Sequence, residues 1–154
     1  AAGEPLRLGY VKGRYGPYAD NLNFVLQRIE GHFVRGSGDR SRTVHEAGAL
    51  ELLPGATEEA EEFLVDSPST TERIDDVLNL ATGFESPYGL ELLSTVHWIA
   101  ATEKPSVADD AEEIFTMVQQ WNQRKGRLFT ERHVSIAWTH LRANEPNWMS
   151  LAAV

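Results

Sequence analysis

The sequence predicts an α+β fold, predominantly helical, with a small antiparallel sheet of two or three short strands near the N-terminus. Three observations lead there. From Pro54 onward the apolar residues recur at helical spacing. Before Pro54 they come in short runs bounded by glycine and polar residues, as strands and turns do. Serine, threonine and proline stand where helices begin, at Ser69, Ser86-Pro87 and Thr130. At 154 residues the chain is long enough for one domain with one core, so a single domain over 1–154 is expected.

Leu6 to Val11 alternates and predicts a first strand. Gly13 to Pro17 is a turn, and Pro17 can occupy the first turn of a helix, where its missing N–H costs nothing. That helix is expected to reach Glu30, with Leu22, Val25, Leu26 and Ile29 on one face and Gly31 as its stop. His32–Val34 and Thr43–Leu53 predict further strands, joined by the polar loop Gly36–Ser41. Glu58–Val65 reads as a helix with its acids in the first turns, where the dipole favours them. Ser69-Thr70-Thr71-Glu72 predicts a capping box for a helix through Leu80, closed by Gly83. Ser86-Pro87 opens a helix carrying Leu90, Leu93, Val96, His97, Ile99 and Ala100. Ser106–Asp109 predicts an acidic cap for a helix with Ile114, Phe115, Val118 and Trp121. Thr130 starts a last helix with Val134, Ala137, Trp138 and Leu141 in one stripe, and Asn147–Val154 is an apolar tail.

Charge is segregated along the chain. Residues 1–45 hold seven basic and four acidic side chains, residues 46–122 hold two basic and seventeen acidic, and residues 123–154 hold five basic and two acidic. Acids can simply solvate helix faces, but a long single-sign stretch can also bind the opposite sign. The nominated clusters are Glu58, Glu59, Glu61 and Glu62, then Asp75 and Asp76, then Asp109, Asp110, Glu112 and Glu113. Carboxylates on neighbouring helices can imitate the phosphates of a nucleic-acid strand and attract a protein built to hold DNA.

Catalytic patterns are lacking. The sequence has no cysteine, which removes thiolate nucleophiles and zinc–sulfur sites. It contains no His-Glu-x-x-His, P-loop, Gly-x-Ser-x-Gly or Gly-x-Gly-x-x-Gly motif. His133 and His140 stand two helical turns apart, about 10 Å, too far to share a metal. No catalytic, metal or cofactor residue is therefore assigned, and no cofactor is expected. No apolar run approaches the length of a membrane span, and a cytoplasmic location is expected. Lys12, Arg14, Arg28, Arg35, Arg40 and Arg42, interleaved with Tyr10, Tyr15 and Tyr18, have the composition of a single-strand binder. The overall pI near 5.0 weighs against it, so no direct nucleic-acid partner is expected.

Two stretches, Tyr10-Val11-Lys12-Gly13-Arg14-Tyr15-Gly16-Pro17-Tyr18-Ala19-Asp20-Asn21-Leu22 and Phe84-Glu85-Ser86-Pro87-Tyr88-Gly89-Leu90-Glu91-Leu92-Leu93-Ser94-Thr95-Val96-His97-Trp98, carry a family likeness. Together with Trp121-Asn122-Gln123-Arg124-Lys125 and Ala137-Trp138, they resemble the C-terminal domain of DarG, the antitoxin of DarT/DarG toxin–antitoxin pairs. The Tyr-Gly-Pro core alone also occurs in SocA-like (Panacea) antitoxin domains. The resemblance implies a partner: a DarT-like toxin with a basic DNA-binding surface, which ADP-ribosylates single-stranded DNA from NAD. It also implies a parent protein with an N-terminal macrodomain hydrolase and an upstream helix, neither of which this sequence contains. Ala1–Pro5, which reads as the end of a helix, fits excision from something longer. The expectation is thus an antitoxin domain, not an enzyme on its own, that inhibits the toxin by occupying its DNA cleft. The alternatives are a nucleic-acid-binding regulator using the basic first third, or a module positioning a fused catalytic domain.

Overall fold

The computed structural model describes residues 7–36, 49–103 and 110–144. Among them the helices dominate and the strands are short, as the α+β reading requires. The strands form two separate antiparallel pairs of two residues each, β1 (Val11–Lys12) with β2 (Pro17–Tyr18) and β3 (Val34–Arg35) with β4 (Glu51–Leu52).

The first hairpin departs from the expected order. Val11 faces Tyr18 and Lys12 faces Pro17, with the Gly13 N–H donating to the Gly16 carbonyl at 2.9 Å. Gly16 sits at φ +139, which a side chain would strain, so the glycine permits the turn. Pro17 is therefore in a strand rather than a helix, tolerable where no ladder bond needs its missing donor. Residues 7–10 alternate but pair with no strand. Instead Asn21 holds them, accepting from the Gly9 N–H at 3.1 Å and donating to the Arg7 carbonyl at 2.6 Å. Helix α1 (Leu22–Ile29) starts five residues later than expected and ends before Gly31, at φ +76. Of the predicted strand Thr43–Leu53, residues 43–48 lie outside the described residues.

Helices α2 (Ala56–Leu64) and α3 (Pro68–Ala81) follow. Ser67, not Ser69, is the residue before α3, because Pro68 takes the first helical position. Ser69 and Glu72 consequently lie inside the first turns, and the expected capping box does not form. Gly83, at φ +84, lies just beyond the end. Helix α4 (Pro87–Trp98) starts as predicted: the Ser86 hydroxyl accepts from the Gly89 N–H at 3.0 Å. It runs into a π-helical turn, Ile99–Glu103. Helix α5 (Ala111–Trp121) is capped by Asp110, whose carboxylate accepts from the N–H groups of Glu112 and Glu113, both at 3.0 Å. The Ser106–Asp109 cap lies outside the described residues.

Asn122 breaks the chain direction and caps an unexpected short helix, α6 (Gln123–Leu128), accepting from the Lys125 N–H at 2.9 Å. Helix α7 (Glu131–Ala143) has the predicted Thr130 cap, paired reciprocally with His133.

The core is built almost wholly by α4, the π turn, α5, α6 and α7 with their flanks. Leu92, Leu93, Val96, Ile99, Ile114, Val118, Phe129, Val134, Trp138 and Leu141 are its principal side chains. Leu90 is exposed, and Leu92 takes an inward position. Before residue 84 only Ala19, Val34 and Ala56 are buried among the described apolar residues. Helices α1, α2 and α3 therefore stand on the outside of a helical core rather than inside it.

Candidate functional site

The nominated carboxylates separate into two groups. Glu58, Glu59, Glu61 and Glu62 lie on α2, and Asp75 and Asp76 on α3, which packs against it. All four glutamates and Asp75 are exposed, and Asp76 is half-buried. Among the described residues, no ion pair joins any of these six to a cation. Between the helices runs an open groove of about 480 Å³ lined by Leu64, Val65, Thr71, Glu72, Asp75 and Asp76. A second hollow of about 500 Å³, mostly apolar, is bordered by Phe33, Glu59, Glu62, Phe63 and Leu64. Phe63 is 75% exposed, Val65 77% and Leu78 61%. Apolar surface rimmed by charge of one sign is the composition of a binding face.

The third cluster is placed differently. Asp110, Glu112 and Glu113 occupy the start of α5, a helix of the core, and Asp109 lies outside the described residues. Asp110 caps the helix, and the two glutamates sit where the helix dipole favours negative charge. These acids therefore have a local structural role at the start of α5.

A second assembly joins the stretches that carry the family likeness. Lys125 is fully buried, yet its ammonium bonds to Glu91 at 2.7 Å and to the Thr95 hydroxyl at 2.9 Å. It also lies 5.1 Å from the centre of the Phe129 ring and 5.5 Å from that of Trp121. Glu91 is shared with Arg124, which donates to both its oxygens, at 2.5 and 3.0 Å. Burial pushes the Glu91 carboxyl up, but the bonds from Arg124 and Lys125 outweigh it and hold the group below the usual carboxylate range. Burial depresses the Lys125 ammonium, only partly opposed by Glu91. Arg124 is raised, chiefly by its bond to Glu91.

The first hairpin docks on this charge cluster. The Trp121 indole N–H donates to the Gly13 carbonyl at 2.8 Å, and the Asn122 amide donates to the Arg14 carbonyl at 3.0 Å. Lys12 lies 4.5 Å from the Trp121 ring centre and pairs with Glu103 at 2.7 Å. Arg124 and Arg14 flank Tyr15, at 4.8 and 5.5 Å from its ring centre. A Cβ on Gly16 would come within 3.2 Å of the Ser94 hydroxyl, so the turn approaches α4 closely. The result is an open cleft of about 590 Å³ walled by Lys12, Gly13, Arg14, Trp121, Gln123 and Arg124.

This cleft escaped the sequence reading because its walls lie more than a hundred residues apart. The available signal was Asn122, a strong cap residue directly after the helix that carries Trp121. Of the basic residues first grouped, only Lys12 and Arg14 reach the cleft. Arg35 pairs with Glu51, Arg28 lies on α1, and Arg40 and Arg42 are outside the described residues. His133 bonds to the Tyr88 hydroxyl at 2.6 Å and His140 to the Leu80 carbonyl at 2.8 Å, both structural contacts. Among the described residues no group of three His, Asp or Glu is placed to hold a metal, and no helix is long and apolar enough to cross a membrane.

No family model matches the chain. It is similar to a protein of Thermus aquaticus named DNA ADP-ribosyl glycohydrolase, with 40% identity over 136 residues, 88% of this chain and 36% of that protein. Proteins of the same name from Mycobacterium bovis and Mycobacterium tuberculosis are each 33% identical over 138 residues, 86% of this chain and 38% of theirs. The chain thus spans little more than a third of the length of these relatives. Their names agree with the hydrolase activity that the resemblance attributes to full DarG proteins. They also correct the expectation that the chain stands apart from enzymes, since every one of them is named for an enzymatic activity. The expectation rested on missing short catalytic motifs, a criterion that weighs little for a stretch matching about a third of an enzyme.

Proposed function

We propose that this chain is the partner-binding portion of a DNA ADP-ribosyl glycohydrolase of the DarG type. Its acidic helices α2 and α3 grip a DarT-like ADP-ribosyltransferase and occupy that protein's DNA-binding cleft. The observation that carries the reading is the gathering of Glu58, Glu59, Glu61, Glu62, Asp75 and Asp76 on two adjoining outer helices, with no ion pair to a cation among the described residues and beside exposed Phe63 and Val65. Carboxylates supply the negative charge that a DNA-binding cleft is built to hold, and the apolar groove between them supplies contact area that a phosphate backbone cannot. The likeness to named glycohydrolases supports the enzymatic setting, in which the same protein restrains the modification that it removes.

The test is charge reversal one helix at a time, measured as affinity for a cognate transferase. Glu58→Lys with Glu62→Lys, or Asp75→Lys with Asp76→Lys, is expected to weaken the complex by about a hundredfold, close to 2.7 kcal/mol. Glu112→Lys on α5 should leave it within about threefold. Loss of binding with Glu112→Lys while the α2 and α3 reversals bind normally would overturn the assignment.

A further inference from the structure

We infer that the cleft between the first hairpin and helix α6 binds the phosphodiester backbone of single-stranded DNA. Lys12 and Arg14 form one wall and Arg124 the other, and a second hollow of about 340 Å³ adjoins through Gln123 and Arg124 and extends the basic lining to Arg127. With buried Lys125 beneath, five cations meet two carboxylates, Glu91 and Glu103. A surplus of three positive charges therefore stands in a chain whose net charge is −9. Arg14 and Arg127 form no ion pair among the described residues, so they are available to phosphates.

The geometry fits a strand better than a small anion. Two adjoining open hollows make an extended trough rather than an enclosed pocket. Tyr15, held between Arg14 and Arg124, is 36% exposed. Cations beside a partly exposed aromatic side chain are what an unpaired strand uses, the first for phosphates and the second for stacking. The trough is also held in shape, since Trp121 and Asn122 fix the carbonyls of Gly13 and Arg14. The low overall pI does not bear on it, because the acids that set that pI lie chiefly on other elements. The choice of DNA over RNA rests on the proposed reading of the chain as part of a DNA-acting enzyme. The cleft itself does not depend on the acidic helices.

Fluorescence anisotropy of a labelled single strand of about 12 nucleotides, titrated with the full chain, reads the binding. Micromolar affinity is expected, falling with salt at a slope of about −2 in log K against log salt, for roughly three phosphates engaged. Arg14→Glu with Arg127→Glu should reduce affinity at least about tenfold and flatten that slope, with the circular dichroism spectrum unchanged. Glu58→Lys with Glu62→Lys should leave DNA binding intact while weakening transferase binding by about a hundredfold, so failure of either assignment is seen apart from the other. No binding at low salt, binding that survives the double arginine reversal, or binding to the matching RNA strand but not to DNA would each overturn the inference.

Discussion

Glu91→Gln is expected to destabilise the fold by about 3–5 kcal/mol, the range for removing one partner of a buried ion pair. Glu91 is 11% exposed at its side chain and Lys125 not at all, so the pair is shielded from the water that makes surface pairs weak. Neutralising the carboxylate leaves the Lys125 ammonium in the core and sets it against the Arg124 guanidinium, which had shared the same acceptor. Lys125→Met is expected to cost less, because Glu91 keeps Arg124 and the new side chain suits an apolar site. Urea melts of both variants check the order, and a larger loss for Lys125→Met would contradict it. The pH dependence follows with its sign. The folded state holds the Glu91 carboxyl below its unfolded value. Its contribution is therefore complete above about pH 4.3 and is lost as pH falls through the lower folded value. That acid-side loss should be absent from Glu91→Gln.

Trp121→Ala is expected to cost about 3–5 kcal/mol, the range for truncating a large core aromatic. The ring is 8% exposed, belongs to the core cluster and lies beneath Lys12. Its indole N–H also holds the Gly13 carbonyl, so the first hairpin should loosen before the core does. Hydrogen exchange distinguishes the two losses. The amides of 11–18 should lose protection in Trp121→Ala well beyond those of α7, and Trp121→Phe should show most of the hairpin effect with about 1 kcal/mol lost overall. Equal loss of protection in both regions would mean that the indole bond does not anchor the hairpin.

The helical half of the fold was legible because its punctuation is local. Ser86-Pro87 and Thr130 each announce a helix within four residues, and the structure places caps at both. The stripe Val134, Ala137, Trp138 and Leu141 is buried throughout. The first half was harder to read for physical reasons. Pro17 fits a first helical turn and an edge strand equally well, and only pairing with Lys12 decides between them. Ser69 and Ser67 are both acceptable caps, but Pro68 favours the first helical position and settles the boundary. Exposure was least legible of all. Phe63, Val65, Ile74 and Leu78 are apolar residues at helical spacing that stand exposed, while Leu80 of α3 packs against the core. The acidic helices were thus identified as carriers of charge but not as carriers of an apolar face. Conversely the basic cleft needs a hydrogen bond from Trp121 to Gly13, a pairing that no local pattern announces.

On the proposed reading, α2 and α3 occupy the place of DNA on a partner transferase. Its most direct test is competition. A labelled single strand is bound to the Arg14→Glu/Arg127→Glu variant's cognate transferase, and the variant chain, itself unable to hold the strand, is titrated in. Full displacement of the strand is expected, with an apparent affinity that weakens as salt rises. A stable ternary complex, with strand and chain both retained on the transferase, would contradict it.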